Sequence, residues 1–127
     1  MDVSSGVLTQ SEKVPDVPCL FISSDLFSSS QFASGIRSAG VDVQALLAVP
    51  AEFGSGVQIV VIDLETAGAI EGIAGFKQAG CSVVAFGPHV KESLLQAART
   101  AGADHVMTRG QATRDLGPLV AQLERGA

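Results

Sequence analysis

One carboxylate, Asp63, is where chemistry in this chain would centre. It ends the stretch Val57-Gln58-Ile59-Val60-Val61-Ile62-Asp63, where a charge follows a nearly unbroken Val/Ile run. Such a run reads as a strand covered on both faces, as in the middle of a parallel sheet. Ligands of open α/β sheets bind at the carboxyl ends of the strands, so core and site meet in these few residues. Other ligating or reactive groups also follow apolar runs. Ser23, Ser24 and Asp25 come after Val17–Ile22, Gly87 and His89 after Cys81–Phe86, and Arg109 after His105–Thr108.

Three chemistries are open to groups gathered at such an edge. Asp63, His89 and Arg109 could grip a small ligand. Asp25, Asp63 and His89 could hold a divalent metal, although each comes from a separate loop and no ligand spacing supports it. Ser23 or Ser24 with His89 and Asp63 could form a hydrolytic triad, but there is no G-x-S-x-G elbow or evident oxyanion hole. A His in such an exit loop more often caps the following helix or faces solvent. His105 is most simply a sheet residue. Gly54-Ser55-Gly56 precedes a strand instead of following one, which makes it a turn and not a phosphate cradle. Ser28-Ser29-Ser30 reads as a helix start.

Positioning these groups requires strands and helices in alternation. After the first strand, a helix over Ser28–Ala39 turns Phe32, Ile36 and Ala39 inward and stops at Gly40. Val41–Ala48 alternates as a second strand. Pro50, Gly54 and Gly56 leave room for at most one helical turn before the Val57–Ile62 strand. A helix over Ala69–Ala79 stops at Gly80; Gly68, Gly72 and Gly75 each weaken it by about 1 kcal/mol, which implies close packing or mobility. Cys81–Phe86 is the fourth strand, Val90–Ala101 a helix stopped by Gly102, and His105–Thr108 the fifth strand. Leu116, Leu119, Val120 and Leu123 mark a closing amphipathic helix over Thr113–Arg125. Five alternations demand parallel pairing, right-handed crossovers and helices on both faces. Residues 1–16, polar and without period, read as a flexible tail ahead of a single domain, 17–127.

Composition narrows the classes. With 127 residues, 46% hydrophobic and 17% charged, the chain is globular and can bury a core without staples. A net charge of −5 and six scattered Phe, with no Trp or Tyr, disfavour nucleic-acid binding. No apolar run approaches the roughly 20 residues of a spanning helix. Met1–Pro18 has no secretory pattern, so the expected location is cytoplasmic. Cys19 and Cys81 sit in strands and are not spaced as a redox or zinc pair; they read as buried free thiols.

Five short βα units with Asp63 closing the third strand, Gly102-Ala103-Asp104 before the fifth and Arg109 just after it resemble the receiver domain of bacterial response regulators. The resemblance runs from Cys19 to Leu123. It implies a flavodoxin-like (CheY-like), doubly wound, five-stranded parallel sheet in the order 2-1-3-4-5. By similarity Asp63 is the phospho-acceptor position, Ser23 and Ser24 take the places of the acid pair that helps hold Mg²⁺, and Asp25 lies one residue beyond. Gly87 stands where a hydroxyl contacts the phosphate, Arg109 where a Lys does, Val106 where an aromatic repositions, and Gly110 where a proline follows the Lys.

Only the acceptor and a cation survive from that kit. Two serines for two carboxylates remove two negative charges from the ligand set of a hard cation, and uncompensated phosphoryl charge slows transfer. Mg²⁺ binding is therefore expected to be weak or absent, with no other cofactor. The resemblance implies a stand-alone signalling module and not an enzyme, one that acts on a protein partner with weak or no phosphorylation of Asp63. The family's contact face is the fourth helix, fifth strand and fifth helix (Leu94 to Leu123 here), for a partner or a second copy. The alternative is a flavodoxin-like module that takes a small ligand at Asp63, His89 and Arg109. Asp63 and Arg109 also read simply as a fixed ion pair, since a buried carboxylate needs a counter-ion and Arg suits a stable one.

Overall fold

The computed structural model describes residues 7–8 and 17–126. The elements in chain order are β1 (Val7–Leu8), β2 (Cys19–Ile22), α1 (Leu26–Ser38), β3 (Val43–Leu46), β4 (Ile59–Asp63), α2 (Ala69–Gln78), β5 (Ser82–Gly87), α3 (Glu92–Ala101), β6 (His105–Thr108) and α4 (Arg109–Gly126). All strand pairs are parallel, in the order β1-β3-β2-β4-β5-β6. From β2 onward this is the expected 2-1-3-4-5 arrangement. The expected tail over 1–16 is different at one point: Val7–Leu8 pair with Ala45 and Leu46 at the sheet edge. The rest of that stretch lies outside the described residues.

Register carries the site. Ile22 pairs with Ile62, so Ser23 and Asp63 leave the sheet side by side. Asp63 pairs with Phe86, and Gly87 with Thr108, which puts Arg109 one residue past the same edge. Strand β4 is buried along its whole length, as a Val/Ile run between two helix layers must be. Its alternate side chains enter two cores. Val61 joins Phe21, Phe32, Ile36, Phe86, Leu116 and Val120 under α1 and α4. Val60 and Ile62 join Leu20, Ile73, Phe76, Val83 and Leu95 under α2 and α3.

No helix separates β3 from β4. The loop there covers the sheet instead, with Phe53 against Phe76 at 4.9 Å between ring centroids. Val49 approaches α2 so closely that a Cβ on Gly72 would lie 3.0 Å from its Cγ1. Close packing, not mobility, accounts for that glycine. Helix ends fall where backbone freedom permits: Gly40, Gly80 and Gly102 follow α1, α2 and α3 with φ of 95°, 90° and 108°.

Both cysteines are free and buried. Burial pushes the Cys19 thiol up to about 12 and raises that of Cys81, the latter against the nearby Lys77 ammonium. Among the described residues no helix is long and apolar enough to cross a membrane.

Asp104, just before β6, ties that edge strand to β5 and α2. Its carboxylate accepts from Lys77 Nζ at 2.8 and 3.0 Å and from the Val83 N–H at 2.8 Å. Partial burial raises the carboxyl, but those bonds and the ammonium hold it below its ordinary range. A depressed carboxylate stabilises the fold above its unfolded pKa, and the contribution fades as pH falls through the folded value. Asp104→Asn should therefore lower stability by about 1 kcal/mol at neutral pH, the pair being about a third exposed. The deficit should shrink below pH 4 in denaturant titrations run across pH. A deficit that does not change with pH would disprove the electrostatic origin.

Candidate functional site

Asp63 is only 2% exposed although it is ionisable. Burying a carboxylate is costly unless its lone pairs are satisfied, and here three groups satisfy them. Oδ1 accepts from the Glu65 N–H at 3.0 Å. Oδ2 accepts from Ser23 Oγ at 2.8 Å and from Arg109 Nη2 at 3.3 Å. The Ser23 hydroxyl in turn accepts from the Asp25 N–H at 3.1 Å.

Asp25 begins α1 as its N-cap. Oδ1 takes the Phe27 N–H at 3.1 Å and Oδ2 takes the Ser28 hydroxyl at 2.8 Å. The Ser28 bond is the largest reason its carboxyl sits below the ordinary range; desolvation works against it, and the Phe27 and Ser28 amides and the Arg109 charge add to the lowering. Ser28 Oγ also accepts from Arg109 Nη1 at 2.9 Å. These bonds close a ring: Ser23, Asp63, Arg109, Ser28, Asp25 and back to Ser23. Its cation rests on aromatic carbon, with Arg109 Cζ 5.2 Å from the Phe86 ring centre. Phe86 itself packs on Phe21 and Phe32. Such seating favours the flat, weakly hydrated guanidinium over an ammonium.

Glu65 bridges outward, 3.6 Å from Arg109 and 3.0 Å from Lys91. Thr66, nearly buried, accepts the Ser24 N–H at 3.2 Å. Of the residues expected at this edge, Ser23, Asp25, Asp63 and Arg109 therefore meet, and Ser24 is attached through its backbone. His89 is exposed in the turn after β5, and none of the ring's bonds reaches it. Gly87 faces Leu64 and Leu95, so no hydroxyl stands there. Val106 lies in β6 against the α2–α3 core. Ser28, Glu65, Thr66 and Phe86 were not foreseen. Asp25 followed three residues later by Ser28 is the spacing of a capped first turn, and could have revealed one of them.

The donor set does not suit a hard cation. The acid-pair places hold hydroxyl groups, and Asp63 has already committed its oxygens to protons from Ser23, Glu65 and Arg109. The Arg109 guanidinium already lies 3.3 Å from Asp63 Oδ2 and supplies the positive charge there. Among the described residues no three His, Cys, Asp or Glu side chains gather closely enough to hold a metal ion.

Removing the cation from such a ring leaves a buried charge short of a partner. Arg109→Met should cost about 2 kcal/mol, below the range for fully buried pairs because Arg109 is 34% exposed. Arg109→Lys should lose part of the same stability, since one ammonium cannot serve Ser28 and Asp63 and stack on Phe86 in the same geometry. Urea titrations check both, and equal stability of all three proteins would refute the ring's structural role.

No protein-family model matches the chain, and no curated protein matches it. Solved structures do. A response regulator receiver protein from Pseudoalteromonas atlantica is similar at a TM-score of 0.72 and 11% identity, over 85% of this chain and 97% of that one. A CheY-like receiver domain protein from Methanospirillum hungatei gives 0.67 and 14%, over 86% and 97%. A beryllofluoride-activated DrrB receiver domain gives 0.70 and 15%, over 87% and 99%. Identities this low speak to architecture alone, and the architecture is that of the response-regulator receiver domain.

Proposed function

We propose that this chain is a receiver-like signalling module that works through protein contacts without phosphorylation of Asp63. One observation carries the reading: the carboxylate in the acceptor position is buried and accepts three hydrogen bonds from groups of its own chain. Phosphoryl transfer to it would compete with those bonds and would need charge compensation from a cation. The serines at 23 and 24 supply no negative charge to recruit that cation.

The module is not an enzyme in this reading, and it works in the cytoplasm, where its free thiols would stay reduced. The face of α3, β6 and α4, with Leu94, Met107 and Leu123 only partly buried, is the surface offered to a partner protein. A small-ligand site at Asp63, His89 and Arg109 has less support. Asp63 and Arg109 are engaged with one another, and His89 is outside their network.

Amide NMR spectra with Mg²⁺ and either acetyl phosphate or beryllofluoride test the proposal. The expected result is no saturable shift at Ser23, Asp63, Leu64 or Arg109. Large shifts centred on Asp63 would make this a working receiver.

A further inference from the structure

We propose that Val7–Leu8, Arg37 and Gln44 form a removable cover on the outer edge of β3, and that lifting it lets a second copy of this chain pair there. The argument is independent of the reading of Asp63. On its inner side β3 pairs with β2 along all four of its residues. On its outer side Val7 pairs with Ala45 and Leu8 with Leu46. The Ser23 N–H bonds to the Leu46 carbonyl at 3.0 Å, so the backbone of Leu46 turns toward β2. Backbone groups of successive strand residues turn to opposite edges, so those of Val43 and Ala45 turn outward.

Side chains answer both outward carbonyls. Arg37, in the last turn of α1, donates from Nη2 to the Val43 carbonyl at 3.1 Å. Gln44 donates from Nε2 to the Ala45 carbonyl at 3.1 Å. Three separate parts of the chain therefore converge on one short edge. Burial of the core does not require this, since outward backbone groups at a sheet edge can be satisfied by water.

What the cover hides is a strand suited to its own copy. From Val43 to Val49 the chain has no charge, proline or glycine, a composition that promotes strand pairing. Natural sheets keep such edges apart with very short edge strands and with charges. β1 is of the first kind, two aliphatic residues between Ser4-Ser5-Gly6 and Thr9-Gln10-Ser11-Glu12. Arg37 is of the second. Residues 9–18 tether β1 to β2, and a tethered segment competes at roughly millimolar effective concentration. The edge therefore stays closed until β1 is displaced. Uncovered, it is self-complementary. In an antiparallel pair about a two-fold axis at Gln44, Val43 of one copy exchanges hydrogen bonds with Ala45 of the other. Gln44 then meets its own copy in the non-hydrogen-bonded position, with Cα atoms about 4.5 Å apart.

That spacing is within disulfide reach, so cysteine trapping reads the register, the native thiols being buried. Under a mild oxidant, Gln44→Cys alone should stay monomeric because β1 still covers the edge. Adding Leu8→Pro, which removes a backbone donor from β1, should raise the covalent dimer roughly tenfold or more. A synthetic peptide of residues 4–11, added in excess, should suppress that dimer by taking the place of β1. Val7→Gly with Leu8→Gly gives the same comparison should the proline variant not fold. Equal trapping at Gln44→Cys with and without the β1 substitutions would overturn the proposal, as would no trapping in either β1 variant. So would a dimer that the peptide leaves untouched, or equal trapping at Thr100→Cys, exposed on α3, in the same background.

Discussion

A buried carboxylate has to be neutralised where it stands, and the carboxyl edge of this sheet is arranged around that need. Asp63 is delivered by a strand buried along its whole length. Its oxygens are answered by the hydroxyl of Ser23, the amide of Glu65 and the guanidinium of Arg109. Each answer comes from a different part of the chain. The parallel register brings Ser23 alongside, the turn after β4 supplies the amide, and the end of β6 supplies the cation. The site thus helps hold β2, β4 and the start of α4 in register, as well as being held by them.

The ring occupies the side chains at the carboxyl edge with one another. Ser23 acts as donor and relay: it gives its proton to Asp63 and receives the Asp25 amide. Asp25, two residues further on, turns to the first turn of α1 and to Ser28. An arginine in place of a lysine reaches Asp63 and Ser28 together while lying over Phe86. Together these bonds make a closed network at the carboxyl edge of the sheet.

Much of this frame was legible in the residues themselves. The Val/Ile run ending in Asp63 announced a central strand because only burial on both faces tolerates such a sequence. Gly40, Gly80 and Gly102 marked helix ends because each must adopt a left-handed backbone. The exposure of Asp63 was not legible, since it depends on neighbours about forty residues away in sequence (Ser23 and Arg109). Ser28 was hidden because the helix begins two residues earlier than the serine run suggests, with Asp25 as its cap. Val7–Leu8 was hidden because two residues carry no period and gain a strand's conformation only from the edge they join. The absence of a helix before β4 was legible from Pro50, Gly54 and Gly56. The aromatic contact that replaces it, Phe53 on Phe76, was not.

The account stands on the claim that Asp63 is closed to a hard divalent cation by the protons already upon it. Paramagnetic relaxation by Mn²⁺, read on backbone amides of the native chain, measures this at the site itself. Broadening no stronger at Ser23, Asp63, Leu64 and Arg109 than at exposed acids such as Glu71 and Glu124 is the predicted result. Selective, saturable broadening centred on Asp63 would contradict it.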